Sequence, residues 1–475
     1  MFDVVVIGGG VIGGTILREL TKYRLKVCLL EKENDVSMGQ SKANSGIVHA
    51  GFDAKPGTLK ARFNVQGNKM MMQYATELGV KCKNIGSLVV AFSEEELNTL
   101  EELKQRGEEN GVPYLRILNQ KELKVAEPNI SEEALGALYA PTAGIVCPYE
   151  LTIAAIGNAM DNGAELITDF EVDKVEKTET GILLTSKDGK NVSGNYVINC
   201  AGLGSGKIAA MAGDLDINVN ARKGEYILID RENGDFASHT LFFTPTEKGK
   251  GILVSPTVDG NLLLGPTAEE QADGNSDTSA TGLSFIQEKA RKMCKNPPFY
   301  NTITSFAGVR AYSDKHDFII EKSKNMAGLI HCAGIESPGL TAAPAIAKYV
   351  VEELIGKSNL EVNVAFNGKR KPSFYFKELS IEEQNEIIKK DSSFGKIVCR
   401  CEQITEGEIL QAIRENPPAK DIDGVKRRTR SGMGRCQGGF CQPHIVELIA
   451  KERGIPLEQV TKKGKGSWLV TGVSK

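Results

Sequence analysis

The chain has 475 residues, of which 41% are hydrophobic and 25% are charged, and its formal net charge at pH 7 is -3. This length allows two to four domains, and the composition is that of a globular protein, which excludes disordered and fibrous classes. A charge so close to zero gives no overall basic surface for a nucleic acid. No apolar run approaches the about 20 residues of a membrane-spanning helix.

Two features predict a cytoplasmic protein. The chain opens directly into the apolar segment Phe2–Ile7, without the basic residues and cleavage site of a secretory signal. Most of its ten cysteines are scattered singly, several of them within apolar segments. Such thiols are typical of buried cysteines in a reducing compartment.

The start of the chain predicts a β-α-β unit that opens a doubly wound α/β domain. Its parts are a strand at 2–7, a helix from about Val11 to Tyr23, and a strand at 26–30. Between the first strand and the helix, Gly8, Gly10 and Gly13 form G-x-G-x-x-G, which allows a tight turn, close approach of a pyrophosphate and close packing of helix on strand. Glu31, about 20 residues further on, can bind the ribose of an adenosine. A dinucleotide site is therefore predicted here.

FAD and NAD share this fingerprint, and two later segments favour a flavin. The polar stretch 39–51 can wrap a ribityl chain and a ring, and 333–341 precedes a helix whose N-terminus can face the flavin pyrimidine. Gly202-Leu203-Gly204 follows a strand but lacks an acidic partner, so a separate nicotinamide site is not expected.

The remaining elements predict an inserted, β-rich second domain. Apolar and alternating runs at 87–92 and 225–265 are typical of strands, and 94–110 reads as a charged helix capped by Ser93. A small antiparallel sheet is expected between about 166 and 199. The strand 329–333 and a helix from about Thr341 to Leu354 close the α/β core.

Four cysteines near the C-terminus have the spacing of cluster ligands. Cys399 and Cys401 form C-x-C, and Cys436 and Cys441 form C-x-x-x-x-C. Structural zinc sites usually use C-x-x-C pairs, so this spacing favours a 2Fe-2S cluster, with zinc or unliganded thiols as alternatives. The neighbouring basic run 426–430 is interpreted as a solvated surface, with a docking site for an acidic redox partner as the alternative.

Several segments make the chain resemble a known superfamily. Segments 45–51, 200–202, 223–226, 308–311 and 337–339 resemble the D-amino-acid-oxidase-type FAD-dependent oxidoreductases, and within them the glycerol-3-phosphate dehydrogenase and L-2-hydroxyglutarate dehydrogenase group. The cysteine region resembles the bacterioferritin-associated-ferredoxin-like 2Fe-2S module. The resemblance implies FAD binding by Gly8, Gly10, Val11, Ile12, Gly13, Glu31, Lys32, Gln40, Ser41, Asn44, Ser45, Gly46, Val172, Ala201, Gly202, Gly334, Ser337, Pro338, Gly339, Leu340 and Thr341.

The expected architecture is α/β: a doubly wound FAD-binding domain with an inserted β-rich substrate domain, plus a small helical iron-sulfur domain. The FAD-binding domain is expected at 1–365, with substrate parts at roughly 80–150 and 215–310. A linker at 366–395 precedes the cysteine-rich 2Fe-2S domain at 396–453, and 454–475 form a basic tail.

The resemblance also implies the catalytic residues. Oxidation of an alcohol by FAD needs a base and a cation that holds an anionic substrate. His49 is the candidate base, although packing alone or covalent attachment of FAD would also explain a histidine there. Arg310 is the candidate anchor for a phosphate or carboxylate. Lys248 and Lys250 are further candidates for phosphate contacts, but solvated loop lysines are favoured.

The sequence thus predicts a FAD and 2Fe-2S dehydrogenase of a small anionic secondary alcohol. Glycerol 3-phosphate is the favoured substrate, and L-2-hydroxyglutarate or another 2-hydroxy acid, an amine or an amino acid are alternatives. Electrons would pass to an electron-acceptor protein or a second flavoprotein subunit, with membrane contact only through such a partner. An electron-transfer subunit without its own substrate is the alternative from another class.

Overall fold

The protein is described by a computed structural model that covers residues 1–245, 251–271, 274–356, 360–370 and 375–472. Within these residues no helix combines the length and the apolar character needed to cross a membrane. The helices are α1 Val11–Leu20, α2 Leu59–Glu77, α3 Glu94–Glu109, α4 Gln120–Ala126, α5 Pro148–Asp161, α6 Ser205–Met211, α7 Ala280–Met293, α8 Gly339–Tyr349, α9 Ile381–Lys390, α10 Glu406–Arg414, α11 Ile422–Thr429 and α12 Gln442–Arg453.

In the described part of the chain, the strands form three larger sheets and one hairpin. They are β1 Phe2–Ile7, β2 Val27–Leu30, β3 Ile47–Val48, β4 Cys82–Asn84, β5 Ser87–Ala91, β6 Arg116–Asn119, β7 Gly136–Ala140, β8 Gly144–Val146, β9 Glu165–Ile167, β10 Val172–Thr178, β11 Gly181–Ser186, β12 Asn191–Asn199, β13 Val219–Ile229, β14 Thr240–Phe243, β15 Leu253–Pro256, β16 Leu262–Gly265, β17 Glu269–Gln271, β18 Thr302–Ser313, β19 Ile319–Lys322, β20 Leu329–Ala333, β21 Ile397–Cys399 and β22 Ile404–Thr405.

The first sheet has the order β10-β11-β12-β1-β2-β9, with β20 beside β12 and β19 beside β20. Strands β9, β2, β1, β12 and β20 run parallel, as the β-α-β pattern predicts. Helices α1, α5 and α8 pack over its buried apolar side chains. The carboxyl ends of β1, β2 and β12 therefore meet at one edge, where ligands bind in such sheets.

The antiparallel strands expected at about 166–199 are present as β10, β11 and the first residues of β12, and they continue the sheet of the α/β domain. The first residues of β12 pair antiparallel with β11, and its later residues pair parallel with β1 and β20. Because β12 is nine residues long, it can take part in both pairings. Strands β10 and β11 are therefore an edge of the FAD-domain sheet.

The second sheet is assembled from two separate parts of the chain, 87–140 and 219–313. Its order is β17-β13-β16-β15-β14-β5-β7-β6, and β18 pairs with β13. Helix α7 packs against one face of this sheet through Ile286, Ala290 and Met293. The other sheet, β3-β8-β4, links this part to the FAD domain, and the expected inserted α/β architecture is confirmed.

The cysteine-rich region contains the β21-β22 hairpin and α10, α11 and α12 around an apolar core. Within 366–395, the region expected to be a linker, helix α9 forms and Phe376 packs against Phe394. In the C-terminal stretch, Thr461 pairs with Trp468 in an isolated bridge.

The interpretation of the basic run 426–430 as a solvated surface is wrong. Arg427 and Arg428 bind Asp35 of the FAD domain at 2.5 and 2.8 Å, and all three side chains are buried. Burial alone would raise the pKa of Asp35, but Arg428 and Arg427 lower it to about 2. The run lies at the interface with the FAD domain, where tertiary contacts bury charges that would otherwise be exposed.

Candidate functional site

The glycine turn has the close approach that a dinucleotide site needs. A Cβ on Gly13 would lie 2.0 Å from the Gly8 carbonyl oxygen, and one on Gly8, whose φ is +107°, would lie 2.4 Å from the Cys200 carbonyl oxygen. The Glu31 carboxylate accepts hydrogen bonds from the backbone of Gly9 at 2.7 Å and of Glu33 at 2.9 Å. Burial raises the pKa of Glu31. The turn, the α1 N-terminus and this carboxyl therefore lie together, which fits an adenine dinucleotide.

A cavity of about 310 Å³ continues from the N-terminus of α1 to the substrate-domain sheet. Its far wall includes Tyr226, Phe242 and Leu253. The structure brings both candidate catalytic residues to this cavity together with many of the predicted flavin contacts. These lining residues are His49, Arg310, Val11, Ile12, Gln40, Ser41, Asn44, Ser45, Gly46, Ser337, Pro338, Gly339 and Leu340.

The other predicted cofactor residues do not line this cavity. Gly8, Gly10, Gly13 and Glu31 form the turn, and Ala201 and Gly202 follow β12 beside it. Gly334 follows β20, and Thr341 is buried in α8. Lys32 is exposed near Glu33, and Val172 belongs to the apolar cluster beneath the sheet.

The backbone of His49 is held on both sides. Its N–H donates to Thr341 Oγ1 at 2.9 Å, and its carbonyl accepts from Asn64 and Asn68. The imidazole lies against the Phe242 ring, with centroids 5.9 Å apart, and its Nε2 is 3.2 Å from Ser337 Oγ. These contacts fix the position of the imidazole in the cavity.

Arg310 projects from β18 into the same cavity. Its Nη2 donates to the Thr267 carbonyl oxygen at 2.7 Å. A guanidinium has five donors, so this bond leaves others for an anionic substrate. Lys248 and Lys250, the further candidates for phosphate contacts, lie outside the described residues.

The cavity also contains polar residues that were not among the site residues predicted from the sequence. Lys60 and Glu336 form an ion pair of 2.9 Å at its edge, and Arg222 and Tyr226 reach it from β13. Alternation along β13 places 222, 224 and 226 on one face. That period, applied to the segment 223–226, could have indicated Arg222 and Tyr226.

The four C-terminal cysteines come together at one end of the small domain. Cys401 Sγ and Cys436 Sγ are 3.4 Å apart, and a hydrogen bond with Cys441 lowers the pKa of Cys399 to about 6. Burial opposes ionisation of Cys436, but Cys401 and backbone N–H groups such as that of Gly438 lower its pKa. Four thiols with backbone donors around them fit a 2Fe-2S cluster.

The cysteine segments, 399–402 and 435–441, contact the turn that follows β13 in the second sheet. Arg231 donates to the carbonyl oxygen of Cys401 at 2.5 Å, and Arg435 binds Glu232 at 2.7 Å. Residues 230–232 directly follow β13, the strand that carries Arg222 and Tyr226. One strand therefore connects the cavity with the cysteine segments.

Comparison with known proteins identifies both parts of the chain. Residues 3–353 match the family model described as FAD dependent oxidoreductase, and residues 397–451 match the BFD-like [2Fe-2S] binding domain. The chain is 48% identical over 479 aligned residues to a glycerol 3-phosphate dehydrogenase of Caloramator mitchellensis, with 100% of this chain and 99% of the relative covered. It is 30% identical to a mitochondrial L-2-hydroxyglutarate dehydrogenase of Pongo abelii, with coverages of 74% and 87%.

A solved structure agrees with this fold. The dithionite-reduced L-alpha-glycerophosphate oxidase of Mycoplasma pneumoniae, with FAD bound, superposes with a TM-score of 0.74 at 31% identity. The match covers 78% of this chain and 98% of the oxidase. The resemblance identified from the sequence motifs is confirmed. The chain belongs to the FAD-dependent oxidoreductase family and carries, at its C-terminal end, a BFD-like 2Fe-2S binding domain.

Proposed function

We propose that this protein oxidises glycerol 3-phosphate to dihydroxyacetone phosphate and passes the electrons through its 2Fe-2S cluster to a partner protein in the cytoplasm. The observation that supports this most directly is the cavity itself, in which a histidine and an arginine face the segments that line the flavin site. The similarity to a glycerol 3-phosphate dehydrogenase along the whole chain supports the same substrate.

The residues of the cavity can perform the protein's share of this oxidation. Bound FAD supplies the acceptor for the hydride that leaves the substrate carbon. His49 Nε2 accepts the hydroxyl proton once the substrate hydroxyl takes the place of Ser337 Oγ, which bonds this nitrogen in the structure, and the contact with the Phe242 ring keeps the imidazole oriented. Arg310 binds the anionic group, and Phe242 and Leu253 supply apolar surface to the wall of the same cavity.

The cysteine domain provides an exit for the electrons. Cys399, Cys401, Cys436 and Cys441 would hold the cluster, whose potential depends on hydrogen bonds and nearby charges. The acceptor is proposed to be a separate redox protein or a second flavoprotein subunit. Nothing in the net charge of -3 favours a nucleic-acid partner.

The second candidate substrate is L-2-hydroxyglutarate or another 2-hydroxy acid. The similarity to an L-2-hydroxyglutarate dehydrogenase favours it, and the guanidinium of Arg310 suits a carboxylate as well as a phosphate.

Anaerobic mixing tests the proposal. Glycerol 3-phosphate, L-2-hydroxyglutarate, L-lactate and several amino acids are added separately to the purified holoenzyme, and flavin absorbance is followed. We expect bleaching by glycerol 3-phosphate at the lowest concentration. Bleaching only by a hydroxy acid, only by an amine, or by none of these compounds would contradict the proposed substrate. Metal analysis that found zinc without iron would remove the cluster from the scheme.

A further inference from the structure

We infer that Arg222 is a second anion-binding residue of the cavity and that, together with Arg310, it selects a doubly charged phosphate over a singly charged carboxylate. This inference rests on the proposed function, because it assigns a specificity-determining residue for the same substrate.

The strand register places the two arginines side by side. In the antiparallel pair of β13 and β18, Arg222 lies directly opposite Arg310, and Tyr226 lies opposite Phe306. Residues opposite each other project from the same face of a sheet, with Cβ atoms roughly 5 Å apart. Both arginines line the cavity, as does Tyr226.

Residues on the opposite face of β13 have a structural role. Lys223 and Glu225 form a buried ion pair of 2.8 Å, and Glu225 accepts from the hydroxyl of Ser279, the residue that caps α7. The buried charges on that face are therefore compensated within the protein. Arg222 and Arg310, on the cavity face, do not form a buried ion pair of this kind with any residue that the structure describes.

The positive charge of Arg222 is only partly compensated by its neighbours. Glu270 lies 3.5 Å away with a side chain that is 73% exposed, and Glu336 lies 3.9 Å away while it pairs with Lys60 at 2.9 Å. The Arg222 guanidinium lies over the Tyr312 ring, 4.2 Å from its centroid, which orients the side chain. Because the two arginines start from opposite positions on one face of the sheet and both line the cavity, one anionic ligand can contact both.

The two arginines of the cavity offer two guanidinium groups to an anion, because Lys60 is paired with Glu336. Among the described lining residues, Lys60, Arg222 and Arg310 are cationic, and Asp53 and Glu336 are anionic. A phosphate ester carries close to two negative charges at neutral pH, because its second pKa is about 6, whereas a carboxylate carries one. Two guanidinium groups can bind the phosphate oxygens with charge-assisted hydrogen bonds. Arg222 therefore adds more to phosphate binding than to carboxylate binding.

The test compares wild type, Arg222→Gln, Arg222→Lys and the matched control Arg116→Gln. Arg116 lies on β6, and its side chain is 61% exposed, outside the cavity. Dissociation constants for inorganic phosphate are measured from changes in flavin absorbance at about pH 5.5 and about pH 7.5, on either side of the phosphate pKa. Anaerobic flavin reduction by glycerol 3-phosphate gives the separate limiting rate and half-saturation concentration.

We expect Arg222→Gln to weaken phosphate binding about tenfold at the higher pH, the loss of one charge-assisted contact, and to reduce the pH dependence of binding. The half-saturation concentration should rise similarly while the limiting rate changes less than about twofold, because binding and not chemistry is affected. Arg222→Lys should be intermediate, and Arg116→Gln should match wild type.

Two results are distinguishable. In the first result, glycerol 3-phosphate bleaches the wild-type flavin, but Arg222→Gln binds phosphate within about twofold of wild type. This result would overturn the role of Arg222 and leave the proposed substrate in place. In the second result, only a hydroxy acid bleaches the wild-type flavin, which would overturn both the role of Arg222 and the proposed substrate. Flavin absorbance of each purified variant shows that the cavity has folded.

Discussion

At the residue scale, the surroundings of His49 are specific enough to test its assignment as the base. His49→Gln keeps a polar side chain but removes a group that can accept a proton near neutral pH. We expect the rate of anaerobic flavin reduction by glycerol 3-phosphate to fall by about 10²- to 10⁴-fold, the usual contribution of a general base. Stopped-flow absorbance measures this rate, and flavin content should be unchanged.

His444→Gln is the matched control, because His444 is exposed on α12, away from the cavity. In this variant, glycerol 3-phosphate should reduce the flavin at the wild-type rate. A rate for His49→Gln within about twofold of wild type would remove His49 from the role of base.

Glu150 is a buried carboxyl whose protonation should affect stability. It lies in the first turn of α5, accepts a hydrogen bond from Tyr375 at 2.8 Å, and is near Asp259. Burial and the charge of Asp259 raise the pKa of Glu150 to about 7, although Tyr375, Arg430 and Lys81 act in the opposite direction. Because the folded state holds this proton more tightly than the unfolded state, the contribution to stability falls as pH rises from about 4.5 to about 7.

Glu150→Gln should therefore stabilise the protein relative to wild type at about pH 8 more than at about pH 5. The effect arises because glutamine keeps an acceptor for Tyr375 and has no proton to lose. The difference is at most about 1.4 kcal/mol for each pH unit of the interval. Thermal unfolding of both proteins at the two pH values measures it. An equal difference at both pH values would contradict the raised pKa.

At the scale of elements, local signals predicted some helices accurately. The sequence predicted a helix at 94–110 with Ser93 as its cap, and α3 spans Glu94–Glu109 with Ser93 Oγ accepting from the Glu96 N–H. The helix at the start of the chain, predicted to reach Tyr23, ends at Leu20. Caps and periodicity lie within neighbouring residues and can be recognised there, whereas the last turn of a helix frays or persists according to the residues that pack against it.

The packing of α2 on α8 could not be predicted in this way. A Cβ on Gly67 in α2 would lie 2.0 Å from the carbonyl oxygen of Thr341 in α8, so the two helix backbones are in direct contact. The loop before α8 and its first residues, 337–340, line the flavin cavity. The close contact at Gly67 therefore sets the position of α8, whose first residues form this wall of the cavity.

Gly67→Ala should destabilise the protein by about 1–3 kcal/mol through overpacking and weaken FAD binding. In an unconstrained helix interior the same change would stabilise by about 1 kcal/mol, so the sign of the effect tests the contact. Thermal unfolding and flavin release are the measurements.

Gly395→Ala is the control for Gly67→Ala, because a Cβ there would meet only the Ile388 side chain, at 3.4 Å or more. It should leave flavin binding unchanged. A stabilising effect of Gly67→Ala would show that the two helices are further apart than the structure places them.

At the scale of the whole molecule, Arg430 joins the cysteine domain to the rest. It is buried and binds Asp259 at 2.6 Å, Glu402 at 3.2 Å and Asn261 at 3.0 Å. Asp259 and Asn261 belong to the turn between β15 and β16 of the substrate domain, and Glu402 directly follows Cys401. The contact therefore links the cysteine segment 399–402 to the sheet of β15 and β16.

Arg430→Ala would leave Asp259 and Glu402 as buried carboxylates without this partner. We expect a loss of about 3–5 kcal/mol, the usual cost of breaking a buried ion pair from one side, and faster proteolysis of the cysteine domain. Arg414→Ala is the control, since its side chain is 57% exposed and pairs with Glu452 on the surface. That change should cost less than about 1 kcal/mol. Equal losses for both variants would contradict a buried interface at Arg430.

The sequence by itself determined which cofactors this protein uses. The glycine turn with Glu31 can be recognised because its residues have a fixed spacing that follows from the geometry of a dinucleotide site. The four cysteines can be recognised in the same way, from the spacing of cluster ligands. The two families identified by comparison agree with both readings. The inserted β-rich domain could likewise be predicted, since alternation along a strand is a local property.

Only the tertiary structure decided how charged residues from distant segments meet. The register of β13 and β18 sets Arg222 beside Arg310, and docking of the cysteine domain buries Arg427, Arg428 and Arg430 against carboxylates that precede them by many residues. A basic run has the same composition on a solvated surface and in a buried interface. Whether it is exposed or buried depends on which carboxylates the fold brings within a few ångströms of it. The positions of these carboxylates in the sequence do not reveal their distance from the arginines in the fold.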